Sequence, residues 1–223
     1  MLWNNQVAFI HAPKTAGMSM TKLLADGLRG PIFITEPVDT QAQEKRIKVV
    51  EGGRHATLME AEIVLNKKRK SLTDFEKVFV VMRNPYDLEV SRYFYLRKEF
   101  EVDRGKAQTI AMESPFPEYL KTAPFFGQLP PRLDRYYHMN NYIPENLVIL
   151  RFEDLAAQIG FYVQPYLDRV QLPHLNASRH ENFMDYYDAE AEANCFERHA
   201  WFFEKGFYAR IRFPQGNAAT AKR

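Results

Sequence analysis

Three short apolar runs constrain this chain most: "VAFIHA" (7–12), "KVFVVMR" (77–83) and "NLVILRF" (146–152). Each is rich in Val, Ile, Leu and Phe and suits a strand covered on both faces, as in a parallel sheet. A fourth run, "PIFITEP" (31–37), sits between prolines and reads as a shorter strand nearer the sheet edge. Helical patterns fall between and after them, at 18–29, 57–70, 86–100, 107–121 and 154–169. Strands alternating with helices imply an α/β architecture with right-handed crossovers.

The region 101–145 has no strand signal and many aromatics and prolines, as in "SPFPEYL" and "RYYHMNNY", so it reads as a helical insertion. Residues 214–223 are polar and read as a disordered tail. A chain of 223 residues without repeats or a low-complexity linker suits one domain over 1–213. The basic run "KKRK" (67–70) reads as a solvated helix terminus.

Composition narrows the partners. A net charge of +2 is too small for bulk nucleic-acid binding. Cys195 is the sole cysteine, which leaves no disulfide framework and no thiolate zinc site; amid helix formers it reads as a small hydrophobe. No apolar stretch is long enough for a membrane span, and "MLWNNQ" lacks the features of a signal peptide, so the expectation is a soluble cytoplasmic protein. The Asn176–Ala177–Ser178 triplet has no secreted context to make it a glycosylation site.

After the first run comes "HAPKTAGMSM". The strand stops at Pro13 and a helix starts near Met18 or Ser19. Backbone N–H groups at a helix start, together with Lys14, suit a phosphate or sulfate. Ala16 and Gly17 admit close backbone approach, and Thr15 and Ser19 offer hydroxyls. On this loop alone, an anion site and a plain capped helix with an exposed lysine are evenly matched. It is not a Walker A loop, because Lys14 precedes the only glycine, and "VVMRN" ends in Arg83 where a magnesium-binding aspartate would be expected. Arg83 stands at the carboxyl end of a strand, where ligands of open α/β sheets bind. Ser91 follows eight positions later on the next helix; an arginine fork and a hydroxyl suit a second phosphate.

Together, "PKTAGMS" and "RNPYDLEVS" resemble the two signature motifs of sulfotransferases that use 3′-phosphoadenosine 5′-phosphosulfate (PAPS). The resemblance implies a P-loop-like three-layer fold, with a mainly parallel sheet flanked by helices and a helical insertion. It implies that Pro13, Lys14, Thr15, Ala16, Gly17, Met18 and Ser19 hold the 5′-phosphosulfate, and that Arg83 and Ser91 hold the 3′-phosphate. The implied donor is PAPS, the product 3′-phosphoadenosine 5′-phosphate (PAP), and no metal is required. "PKTAG", "RNPYD" and "LPHLNAS…YYDAE" (172–190) resemble the carbohydrate (2-O-type) sulfotransferases and their bacterial relatives more than the phenol and steroid enzymes. Met18 stands where the family commonly has threonine.

Sulfuryl transfer to a hydroxyl needs a base. His55, in "VVEGGRHATLMEA", follows a strand end and two glycines, precedes a helix and titrates near neutrality. "RHATLMEA" also resembles the segment that carries the catalytic histidine in carbohydrate 2-O-sulfotransferases. The plainer role is helix capping. His11 on the first strand is the rival and reads as packed; His174 and His180 are candidate acceptor contacts; His138 and His199 read as structural. The expected acceptor is a small molecule or glycan bearing a hydroxyl. A nucleotide kinase-like phosphotransferase and a non-catalytic nucleotide- or glycan-binding module are the alternatives.

Overall fold

The computed structural model describes residues 1–36, 46–98, 105–129, 132–168 and 182–213. The tail at 214–223, Asn176, and both His174 and His180 lie outside the described residues. In chain order the elements are β1 (Leu2–Trp3), β2 (Val7–Ile10), α1 (Gly17–Gly27), β3 (Ile32–Glu36), β4 (Ile47–Gly53), α2 (Leu58–Asn66), β5 (Lys77–Met82), α3 (Pro85–Leu96), α4 (Lys106–Glu113), α5 (Phe116–Thr122), β6 (Leu147–Arg151), α6 (Leu155–Gln158), α7 (Ala189–Arg198) and α8 (Ala200–Glu204). Among the described residues no helix is long and apolar enough to cross a membrane.

The chain divides into two compact units: Met1–Arg83 with Arg135–Ala177, and Asn84–Asp134 with Ser178–Arg223. The sequence reading counts one domain with an insertion at 101–145; much of that insertion belongs to the second unit.

The first unit is built on a six-stranded mixed sheet of order β4-β3-β1-β2-β5-β6. β2 pairs parallel with β5, β5 with β6, and β3 with β4, whereas β1 runs antiparallel to both neighbours. All four residues of β2 are buried, as are five of the six in β5, which is why both read as unbroken apolar runs. Leu23 and Leu24 of α1 pack with Leu2, Phe9, Phe79, Val81 and Leu150 from four strands. β3 sits one place in from the edge; the edge itself is β4, where only Val50 is buried. The π-helical turn Ile159–Val163 and the 3₁₀ turn Gln164–Tyr166 replace the single helix expected over 154–169. Pro165, which lacks an N–H donor, falls inside that stretch.

The second unit has its own aromatic core around Tyr86, Tyr93, Phe116, Tyr119 and Tyr187. The helix expected over 107–121 is two helices, α4 and α5, because Pro115 interrupts it; Ser114 N–H still closes onto Ile110 O. Pro85 opens α3 at its first turn, with Asn84 Oδ1 accepting from Tyr86 N–H. Cys195 is wholly buried in α7, as its helical sequence context suggested.

Candidate active site

The loop after β2 turns sharply into α1. Lys14 (φ 64°) and Ala16 (φ 60°) both adopt the left-handed conformation, which an L-residue takes only at a cost of about 1–2 kcal/mol. Three contacts hold this loop. Thr15, wholly buried, donates its hydroxyl proton to Ala12 O at 2.9 Å. That donation places the Thr15 hydroxyl within the loop's own bonding, whereas the sequence reading offered it to a ligand. Arg83, at the end of β5, donates from Nη1 to Lys14 O at 3.1 Å, with its guanidinium 4.2 Å from the centre of the Phe152 ring. The arginine of the second motif therefore holds the backbone of the first. Met20 N–H closes onto Ala16 O and starts the helix.

A further support is His11. A Cβ built on Gly17 would lie 2.0 Å from His11 Cδ2 and 2.1 Å from Nε2, so only glycine fits above that ring. Gly17 is the first residue of α1, and no side chain caps this helix. Main-chain N–H groups at an uncapped helix start, a neighbouring lysine and an arginine that braces the loop suit a phosphate or sulfate group.

Above the loop, the turn from β4 into α2 brings Arg54 and His55. Thr57 and Glu60 fix its far side with a reciprocal capping box. Arg54 Nη1 lies 3.4 Å from Met18 Sδ, which gives the unexpected methionine a neighbour. His55 Nδ1 lies 2.9 Å from His11 O. A carbonyl oxygen only accepts, so Nδ1 carries the proton, and in the neutral ring Nε2 holds the basic lone pair. Tyr136 donates its hydroxyl to His55 O at 2.9 Å. Burial, and next the Arg54 charge, lower the His55 pKa below its ordinary 6.5, against the opposing pull of the bond to His11 O. The ring is thus neutral near pH 7.

His11, the rival base, is 4% exposed, with its ring 4.6 Å from that of His55 in an edge-to-face arrangement. Burial first, then His55 and Arg54, hold its pKa well below 6.5. A ring so enclosed packs, as the sequence reading had it. Ser19 and Thr15 are buried beside the loop, while Lys14 and Met18 are half-buried. Ser91 is buried on α3 and belongs to the second unit. His138 is buried and accepts at Nδ1 from Asn141 N–H, and His199 is buried in the second unit.

Sequence reasoning singled out the loop, Arg83 and His55. It missed Arg54 and the supporting role of His11, which lie 36 and 6 residues from the loop positions they touch. The glycine two residues before Arg54 and the strand before His11 were visible, but no spacing rule joins them.

A strand–loop–helix turn at the carboxyl end of a strand, in a mixed sheet flanked by helices, matches the P-loop-like α/β fold of the sulfotransferases. Among solved structures, the chain is similar to the mouse sulfotransferase SULT7A1 complexed with PAP, with a TM-score of 0.54 and 13% identity, over 90% of this chain and 84% of that one. No family model matches the chain, and no curated protein matches it.

Proposed function

We propose that this protein transfers a sulfuryl group from PAPS to a hydroxyl, with a carbohydrate as the acceptor. The observation that carries this reading is the tautomer of His55: Nδ1–H is committed to His11 O, so Nε2 carries the basic lone pair that the reaction requires. The phosphosulfate falls to the loop from Pro13 to Ser19, and the 3′-phosphate to Arg83, with Ser91 assigned the same role by the motif resemblance. In the reaction the acceptor oxygen forms a new S–O bond as the bond from sulfur to the donor's phosphate oxygen breaks. His55 takes the hydroxyl proton, and Lys14 stabilises the electron pair left on the phosphate oxygen. Positioning and charge stabilisation do most of the work in such in-line transfers. The carbohydrate acceptor rests on the resemblance of "PKTAG", "RNPYD", "LPHLNAS…YYDAE" and "RHATLMEA" to the carbohydrate enzymes.

The test is a thermal shift with PAP, followed by labelled-sulfate transfer from PAPS to a panel of glycans and small alcohols. A raised Tm and label on a sugar are expected. Label only on small alcohols would overturn the carbohydrate acceptor, PAP binding without any transfer would leave a binding module, and no PAP binding would overturn the whole reading.

A further inference from the structure

We propose that His11 is a positioning residue for His55, with its carbonyl and ring together holding the His55 imidazole in one tautomer against the donor loop. This rests on the reading of His55 as the base, but the coupling between the two rings stands on its own geometry.

His11 directly follows β2 and touches two segments, α1 and the turn from β4 into α2. Its ring lies directly beneath Gly17, so close that no side chain could be placed there. Its Nδ1 lies 3.4 Å from Thr21 Oγ1 on α1. Its carbonyl accepts from His55 Nδ1, and its ring meets the His55 ring edge-to-face at 4.6 Å and 82°. One side chain thus supports the loop that would carry the donor and the ring that would take the proton. A displacement of the loop moves His11 and, through it, His55.

The surroundings favour the neutral form of the half-buried His55. Arg54 comes from the same turn, the Met1 amino group from the start of β1 and His11 from the end of β2. The Tyr136 hydroxyl caps His55 O, and Glu60 on α2 acts on Tyr136. With the His11 ring gone, more of the half-buried His55 ring meets water and part of the burial that lowers its pKa is relieved.

The experiment is imidazole NMR on the full chain labelled at histidine, with His55 assigned by the loss of its signals in His55→Gln. His11→Met fills the space with a flexible side chain and removes the flat ring; His11→Ala removes the ring without risk of overfilling; His11→Phe restores a flat ring. In the wild type His55 is expected to titrate below 6.5 with Nδ1 protonated. In the Met or Ala variant it should titrate higher, with Nδ1 still bonded to the backbone carbonyl that every variant keeps, and in the Phe variant it should return toward the wild-type value. An unchanged His55 in a folded ringless variant overturns the proposal, as does a failure of Phe to restore it. Where transfer is measurable, kcat should fall by roughly 100-fold in the ringless variants, with the acid limb of kcat/KM moved to higher pH. A purely structural role would leave that limb in place. Failure of PAP to bind the wild type would overturn the base role of His55, while the NMR result would still decide the coupling.

Discussion

At the residue scale, Gly17 and Cys195 show how differently small residues act. Gly17 does not need a left-handed backbone; what it lacks is a Cβ. Gly17→Ala gains about 0.5–1 kcal/mol of helix preference, but the added methyl falls within 2.1 Å of two His11 ring atoms. The clash costs about 1–3 kcal/mol, so a net loss of stability in urea melts is expected, together with weaker protection by PAP. Cys195 is buried, with its thiol pushed well above its ordinary value first by burial. It should resist a thiol reagent in the native protein and react at once in denaturant. On the proposed reaction, His55→Ala should abolish turnover while PAP still raises the Tm, and Lys14→Ala should impair both. The loop was legible in the sequence because its chemistry is local. The contact of Met18 with Arg54 was not, because it joins segments 36 residues apart.

At the scale of elements, α3 carries the densest polar cluster. Glu89 is wholly buried and accepts from Arg198 Nε at 3.0 Å, His199 Nε2 at 2.8 Å and the Tyr119 hydroxyl at 3.1 Å. Arg92, one turn along α3, donates to the Tyr119 hydroxyl at 2.8 Å and to Pro124 O. Burial alone would raise the Glu89 pKa, but Arg198, the bond from His199 and Arg92 outweigh it and hold the carboxylate ionised. Removing it leaves two buried guanidiniums without their counter-charge, so Glu89→Ala should cost about 3–5 kcal/mol in chemical denaturation. Secondary structure was largely legible where an element is an unbroken apolar run, as in the buried β2 and β5 and in the mostly half-buried β6. It was less so for two-residue β1, too short for any period, and for β4, whose exposed residues interrupt the apolar run. Pro115 was in plain sight, yet the apolar spacing on either side of it suggested one continuous helix.

At the scale of the whole molecule, buried histidines make stability depend on pH. His11, His55 and His199 all have pKa values lowered from 6.5, each chiefly by burial. The unfolded chain therefore binds more protons than the native one below pH 6.5. Below that pH the histidines make stability fall as acid is added, by up to about 1.4 kcal/mol per pH unit for each of the fully buried His11 and His199, and the Met1 amino group, lowered from 8.0 to about 5 chiefly by burial, adds a fall in the same direction that begins near pH 8. A Tm that stays flat from pH 7 to pH 5 would contradict this. Replacing His11 with the apolar Phe should flatten part of the slope.

Each compact unit is assembled from two separate stretches of chain. Glu89 and its partner Arg198 are 109 residues apart. At 5–20 residues per second, a ribosome needs roughly 5–20 s to make that interval. Through that time Arg92 and then Tyr119 are within reach of the α3 carboxylate, but Arg198 and His199 are not yet made. Translation speed past residue 89 therefore sets how long this protein must wait, half-built, to complete the set of partners around that buried charge.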